Sequence, residues 1–202
     1  MMKYLVTGST GFVGSRLLGF LNTIKCDVRL LSRSEISDHE TVVCSLGKDR
    51  IPRHTLDSID TVFHLAGFAH DMQDSREVED LYRVINLEAT VELARLAVES
   101  GVKRFVFVSS IKAGGLPLSE HCASECDQND PEGIYGKTKR EAELKLLKIG
   151  KESGMHVSII RPSLVYGPNT KGNLQLMLSG VKKGWFPPLP ETGNKRSMIH
   201  VD

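Results

Sequence analysis

The chain has 202 residues, a hydrophobic fraction of 40%, a charged fraction of 25% and a formal net charge of +1. The length fits one large α/β domain, or one domain and part of another, with a core of its own. The near-neutral charge gives no reason to expect nucleic acid or an anionic membrane as a partner. No apolar run approaches the roughly 18 residues of a membrane-spanning helix.

The four cysteines are scattered along the chain, at Cys26, Cys44, Cys122 and Cys126. Scattered thiols with no regular spacing are typical of proteins of the reducing cytoplasm. Cys122 and Cys126 lie close to His121, but the complete four-ligand set of a structural zinc site is absent from the sequence. We therefore expect a cytoplasmic protein and no metal.

Short apolar runs alternate with segments of helical periodicity along most of the chain. Strands are predicted at residues 3–7, 27–31, 41–44, 61–65, 105–108 and 156–160. Helices are predicted at residues 11–24, 78–97 (stopping near Gly101), 134–149 (closing at Gly150) and 174–182. This alternation predicts an α/β fold with a doubly wound parallel sheet of the Rossmann type. The long polar connection at residues 112–133 is of a length that is often functional.

The first predicted strand runs directly into a glycine-rich turn and a helix. Gly8 permits a tight turn, Gly11 lets the backbone approach a pyrophosphate, and Gly14 allows close packing of helix on strand. The start of the helix, including Phe12 and Val13, then offers free N–H groups to phosphates. The turn predicts a dinucleotide site.

The residue that follows the second strand bears on the choice of cofactor. An acidic residue there usually holds the ribose of NAD, whereas this chain has Arg33. Arg33 can pair with a 2′-phosphate, which favours NADP, or it can face the adenine or the solvent. The residues leave both NAD and NADP open.

Tyr135 and Lys139 are four residues apart on a predicted helix, so they share one face. A nearby ammonium favours the phenolate, and we expect it to lower the pKa of Tyr135. Ser110 ends the preceding strand at the carboxyl edge of the sheet, where ligands bind in such folds. The sequence therefore predicts Ser110, Tyr135 and Lys139 as a catalytic group, although Ser110 alone also fits a strand-end cap.

With these motifs the chain resembles the extended short-chain dehydrogenases/reductases of the NAD-dependent epimerase/dehydratase family. The resemblance covers nearly all 202 residues. In chain order it is carried by the glycine turn, residues 63–67, Asn86, residues 108–110, Tyr135 with Lys139, residues 161–168 and residues 196–202.

The resemblance implies the roles of further residues. Ser110, Tyr135 and Lys139 align with the catalytic positions. The cofactor positions are Gly8, Gly11, Phe12, Val13, Gly14, Arg33, Leu65, Ala66, Gly67, Asn86, Lys139, Pro162, Ser163 and Val165. Asn173 and Arg196 resemble residues that bind the nucleotide diphosphate of a sugar, whereas Arg161 and Tyr166 are expected to be structural.

The sequence departs from the family pattern at three points. Ser32 and Arg33 replace the acidic residue after the second strand, and Ser45 replaces an adenine-contacting aspartate. After Ser110 the chain continues with residues 111–115, Ile-Lys-Ala-Gly-Gly, where many epimerases have Val-Tyr-Gly. The stretch from Ser109 to Lys112 resembles a subgroup that handles UDP-N-acetyl sugars for bacterial surface polysaccharide.

Three functions follow from the resemblance. The first is a nucleotide-sugar 4-epimerase, and the alternative is an NADPH-dependent reductase of a nucleotide 4-keto sugar. The third is a cofactor-binding relative without catalysis, which the intact catalytic residues disfavour. A dehydratase is disfavoured because Ile111 and Lys112 stand where dehydratases usually carry Asp-Glu.

The resemblance also implies an organisation and an assembly. Residues 1–168 are expected to form the dinucleotide-binding domain, and residues 169–202 the start of a substrate-binding region that this chain does not complete. The helices around Asn86 and Lys139 resemble those of a four-helix dimer interface, so we expect a homodimer.

Overall fold

The computed structural model describes residues 2–69, 76–115, 123–131, 133–170, 173–186, 193 and 196–202. Its central sheet is six-stranded and parallel, in the order β3-β2-β1-β4-β5-β6. The strands are β1 (Lys3–Thr7), β2 (Asp27–Ser32), β3 (Glu40–Val43), β4 (Thr61–His64), β5 (Arg104–Val108) and β6 (His156–Ile160). The strand order reverses between β1 and β4, where ligands bind in doubly wound sheets.

The helices that cover the sheet are α1 (Phe12–Thr23), α2 (Arg76–Tyr82), α3 (Ala89–Glu99) and α4 (Gly133–Ser153). Strand residues alternate between two cores, because successive side chains point to opposite faces. Leu5 packs with Leu93 of α3 and Leu146 of α4, whereas its neighbour Val6 packs with Leu21 of α1. The predicted α/β class and the doubly wound parallel sheet are confirmed, and the six predicted strands agree within one residue at each end.

The predicted end of α4 at Gly150 is wrong, because the helix continues to Ser153. Gly154 ends it instead, with the positive φ of 78° that suits a residue after a helix. Gly150 serves close packing: a Cβ there would lie 2.7 Å from Cγ2 of Val157 in β6.

The long helix predicted over residues 78–97 is present but not uniform. A π-helical segment, Arg83–Glu88, lies between α2 and α3 and carries the buried Asn86. Such segments occur often at functional sites. The predicted stop near Gly101 is confirmed, since α3 ends at Glu99 and Gly101 has a φ of 76°.

The region after β6 contains a feature that the sequence did not predict. Strands β7 (Leu164–Tyr166) and β8 (Met198–His200) pair in parallel as a separate small sheet. Helix α5 (Asn173–Lys182) lies between them in the chain, one residue longer than predicted. Two short 3₁₀ helices, Arg53–Leu56 and Ile111–Gly114, were also not predicted.

Candidate active site

The glycine turn between β1 and α1 is built by close backbone contacts. Gly8 has a φ of 72°, and a Cβ there would lie 2.6 Å from the Ala66 nitrogen. A Cβ on Gly14 would lie only 2.1 Å from the Gly8 carbonyl oxygen. A Cβ on Gly11 would meet that same oxygen at 3.1 Å and no other atom within 4 Å. Gly8 and Gly14 therefore shape the turn, while Gly11 leaves space on its outer side.

The first turn of α1 is suited to an anion. Its N-cap is Gly11, no side chain caps it, and the first turn has no acidic residue. The N–H groups at Phe12, Val13 and Gly14 therefore combine with the positive end of the helix dipole. Among the residues that the structure describes, none is a hydrogen-bond partner of the buried Ser9 hydroxyl. These features fit the pyrophosphate of a dinucleotide.

Arg33 lies just beyond β2 and is exposed. Within the described part of the chain it has no ion-pair partner. Its guanidinium is therefore free to meet a ligand at this end of the sheet, which keeps a 2′-phosphate open as a partner.

The loop after β4 is held from two sides. The Ala66 nitrogen donates to the Thr7 hydroxyl at 3.1 Å. Asn86 binds both polar atoms of the Phe68 backbone, accepting from its nitrogen at 2.7 Å and donating to its oxygen at 2.9 Å. Leu65, Ala66 and Gly67 are thus fixed between β1 and the π-helical segment. Asn86 is fully buried, so these contacts make it a brace for the loop, and direct contact with a cofactor stays a prediction.

His64 is a buried residue of this site to which sequence reasoning gave no role of its own. Its Nδ1 lies 2.7 Å from the Thr7 hydroxyl and its Nε2 lies 2.9 Å from the Thr90 hydroxyl. Burial, and then the charge of Lys139, lower its pKa to about 3. His64 is therefore neutral at physiological pH and links β1, β4 and α3. The signal in the sequence that could have indicated this role was a histidine at the end of a predicted strand, just before the loop of Leu65, Ala66 and Gly67.

Lys139 lies at the centre of the site. Its ammonium donates to the Val108 carbonyl at 3.0 Å and lies 4.6 Å from the centre of the Phe107 ring. A Cβ on Gly67 would be 3.2 Å from the Lys139 nitrogen, so the two residues adjoin. Burial lowers the pKa of Lys139 to about 8, against an opposing effect of Glu143.

Tyr135 and Ser110 are brought together as predicted, but the expected charge effect on Tyr135 is wrong. Burial raises the pKa of Tyr135, and the hydrogen bond to Ser110 partly opposes that rise. The Lys139 ammonium is directed to the Val108 carbonyl rather than stabilising a phenolate. Ser110 also accepts from the Lys112 nitrogen at 3.2 Å, so it is both a cap and a partner of Tyr135.

The segment after β6 joins the Ser110 loop through its backbone. The Ile111 nitrogen donates to the Pro162 oxygen at 3.2 Å, which places Pro162 and Ser163 at the carboxyl edge of the sheet. Val165 lies in β7, opposite Ile199. Arg161 binds Glu143 of α4 through two nitrogens, as its expected structural role requires.

Of the two predicted substrate residues, the structure describes the side chain of Arg196 alone. Arg196 is exposed just before β8, with no described contact to Tyr135 or Lys139. The side chain of Asn173 lies outside the described residues.

Metal ligands and membrane spans were sought in the described residues alone. There, no cluster of three or more His, Cys, Asp or Glu side chains is placed to hold a metal ion. His121 and Cys122 lie outside that part of the chain. No described helix is long and apolar enough to cross a membrane.

Comparison with known proteins connects this geometry to a family. Residues 4–202 match the NAD dependent epimerase/dehydratase family. The chain belongs to this family. It is 40% identical over 208 residues to a UDP-glucose 4-epimerase of Vibrio cholerae, covering 98% of this chain and 62% of that protein.

Two further relatives extend the comparison. The chain is 28% identical to an N-acetyl-alpha-D-glucosaminyl-diphospho-ditrans,octacis-undecaprenol 4-epimerase of Escherichia coli O157:H7, covering 98% of this chain and 59% of that protein. The solved structure of MoeE5 in complex with UDP-glucose and NAD superposes with a TM-score of 0.83 at 27% identity. That match covers 98% of this chain and 68% of MoeE5. The chain thus spans about three fifths of the length of these two curated relatives.

Proposed function

We propose that this chain is the cofactor-binding part of an NAD-dependent nucleotide-sugar 4-epimerase. The observation that carries the proposal is the contact of Tyr135 with Ser110 beside the buried Lys139, at the carboxyl edge of the sheet. The 40% identity to a UDP-glucose 4-epimerase supports the reaction, and the structural likeness to a protein that holds UDP-glucose and NAD supports the ligands.

The residues of the site fit a dinucleotide. The uncapped start of α1 would hold the pyrophosphate, and the braced loop of Leu65, Ala66 and Gly67 would line the cofactor. Lys139 adjoins Gly67 and would reach the ribose hydroxyls. When bound, the nicotinamide supplies reversible hydride exchange with C4 of the sugar.

The proton chemistry falls to residues of this chain. Tyr135 takes the proton of the sugar 4-hydroxyl and later returns it, acting as a general base and then as a general acid. Ser110 hydrogen-bonds Tyr135, and it would orient the 4-hydroxyl of the sugar. Burial raises the pKa of Tyr135 and the hydrogen bond to Ser110 partly opposes that rise, so Ser110 is the group of this site that favours the phenolate.

A second candidate function is the NADPH-dependent reduction of a nucleotide 4-keto sugar. Two observations favour it: Arg33 is a free cation beyond β2, and the raised pKa of Tyr135 suits a proton donor. In this reaction Tyr135 would give its proton once, and the cofactor would be consumed in each turnover.

Interconversion of UDP-glucose with UDP-galactose, and of the corresponding N-acetyl sugars, tests the proposal in the full-length native protein. We expect Y135F to lower turnover by about 10²–10⁴-fold while NAD binding is retained. Y4F is the matched control, since Tyr4 contacts Met2 far from this site. NADPH oxidation that requires a 4-keto sugar, without epimerisation, would establish the reductase instead. An activity that survives Y135F would remove Tyr135 from its role.

Further parts of the proposal concern organisation. We assign residues 1–168 to cofactor binding and residues 169–202 to the start of the substrate region, with β7, β8 and α5 as its first elements. Leu144 and Leu147 are half exposed on α4 and support a homodimer through this helix. Sedimentation of an L144E/L147E variant tests it, because a dimer with this interface would dissociate.

The location and the pathway complete the proposal. The described cysteines, Cys26, Cys44 and Cys126, are free thiols, as expected in the cytoplasm. The proposed role in polysaccharide biosynthesis rests on the stretch from Ser109 to Lys112.

A further inference from the structure

The catalytic face of α4 extends one turn beyond Lys139. Tyr135, Lys139 and Glu143 are successive residues at a spacing of four, so all three lie on one face of the helix. The Glu143 side chain is only 1% exposed. A buried carboxylate is costly unless it is paired and hydrogen-bonded. Glu143 can therefore be buried and charged at this position only because it has a partner of opposite charge.

That partner is Arg161, the first residue after β6. Its Nε donates to Oε1 of Glu143 at 2.9 Å and its second terminal nitrogen donates to Oε2 at 2.5 Å. The same terminal nitrogen donates to Gln128 at 3.1 Å. The contact is bidentate, the geometry that binds a guanidinium to a carboxylate most specifically.

Both ends of this ion pair adjoin the proposed active site. Arg161 lies between two main-chain hydrogen bonds to the Ser110 loop, one from the Ser109 nitrogen to the Ile160 oxygen at 2.7 Å and one from the Ile111 nitrogen to the Pro162 oxygen at 3.2 Å. Glu143 opposes the effect of burial on the Lys139 ammonium. A buried ion pair adds little net stability over well-packed apolar residues, so its position beside Lys139 is the feature to explain.

We propose that Glu143 and Arg161 are a positioning pair for the active site: Glu143 keeps the buried Lys139 a cation, and Arg161 balances the charge of Glu143 while anchoring the loop of Pro162 and Ser163. The importance of the pair for catalysis rests on the proposed function, in which Lys139 must be charged. Its effect on the charge of Lys139 does not depend on that function.

Glu143 and Arg161 carry opposite charges, so we expect them to have opposite effects on the pKa of Lys139. The titratable and charged groups that the described residues place around Lys139, Tyr135 and the ion pair are His64 from β4, Tyr82 from α2, Lys112 after β5, Glu125 before α4, three residues of α4 (Tyr135, Arg140 and Glu143) and Arg161 after β6. His64 is neutral, and of the two carboxylates Glu143 acts on Lys139 whereas Glu125 acts on Arg161. Removing Glu143 takes away the carboxylate that opposes the effect of burial on Lys139, which disfavours the ammonium. Removing Arg161 leaves Glu143 paired with Arg140 alone, at 3.6 Å, so more of its negative charge acts on Lys139 and favours the ammonium.

The experiment is an NMR titration of the chain with ¹³Cε-labelled lysine, in which K139M identifies the resonance of Lys139. We expect E143Q to lower the pKa of Lys139 by about one pH unit and R161Q to raise it. E141Q is the matched control, since Glu141 lies on the same helix and makes exposed ion pairs with Lys145 and Arg83. It should leave the pKa of Lys139 unchanged.

An unchanged pKa of Lys139 in E143Q, or a fall in both E143Q and R161Q, would overturn the proposal, because a merely structural pair has no reason to give opposite shifts. If E143Q does not fold, R161Q decides alone, and a lower pKa there counts against the pair. NAD titration of the unmodified chain is run separately. Absence of NAD binding with intact opposite shifts would refute the proposed function and leave the positioning pair standing.

Discussion

Gly14 makes the tightest contact of the glycine turn, and G14A is the sharpest test of how that turn is built. The added Cβ would lie 2.1 Å from the Gly8 oxygen and 2.8 Å from the Gly8 carbon. Non-bonded carbon contacts lie at about 3.5 Å, so α1 and β1 must separate by about 1 Å. The atoms that this Cβ would meet first all belong to the backbone, so no side chain can turn aside to relieve the contact.

The magnitude follows from two opposing effects. Overpacking of this kind costs about 3 kcal/mol, and replacing glycine by alanine in a helix returns about 1 kcal/mol. The free energy of unfolding should therefore fall by about 2 kcal/mol. With a urea m-value of about 2 kcal/mol/M, the unfolding midpoint moves down by about 1 M.

Urea unfolding of G14A is compared with that of G19A, a control on the same helix. Gly19 is exposed, and a Cβ there would meet nothing within 4 Å. G19A should raise the free energy of unfolding by about 0.5–1 kcal/mol. A wild-type midpoint for G14A, or equal losses in both variants, would refute the reasoning from backbone contact.

Three further predictions use urea unfolding. Arg29 is buried and donates to the carbonyls of residues 54, 55 and 57. R29M should therefore lower the free energy of unfolding by about 3 kcal/mol. R53M is the control, because Arg53 makes only an exposed ion pair with Glu99 and its loss should change that free energy little. The pKa of His64 is about 3 in the folded chain and about 6.5 in the unfolded chain, so between these pH values only the unfolded chain binds the proton. The free energy of unfolding should therefore fall by up to about 5 kcal/mol as the pH falls from 6.5 to 3. H64Q should remove this pH dependence. The pKa of Lys139 is about 8 when folded and about 10.4 when unfolded, so stability should rise by about 3 kcal/mol from pH 8 to 10.4, and an equal rise in K139M would contradict this assignment.

Periodicity was enough to predict most of the fold. The strands needed only short apolar runs, because a parallel sheet covered on both faces buries most residues of its central strands, here β1, β2 and β4. Gly150 misled the prediction because a glycine marks a helix end and a close helix–strand contact equally well. The helix ends at Gly154, which has a left-handed backbone conformation. That conformation is seen in the structure and cannot be told from the sequence alone.

The grouping of the candidate residues could be predicted from the sequence, but their electrostatics could not. Tyr135, Lys139 and Ser110 follow from spacing and strand ends. The raised pKa of Tyr135 depends on its burial, and the burial of an α4 residue depends on what packs against it. Glu143 and Arg161 are 18 residues apart in the sequence, so only the fold shows that they are paired.

The most direct test of the central claim is mass spectrometry of the small molecules released when the purified native protein is denatured, followed by titration of the emptied protein with NAD and NADP. The account predicts near-stoichiometric NAD, retained because an epimerase regenerates its cofactor in every turnover. NADP, or an empty site that binds NADPH well, would favour the reductase. A protein that releases neither nucleotide and binds neither would contradict the assignment of a nicotinamide site to the glycine turn.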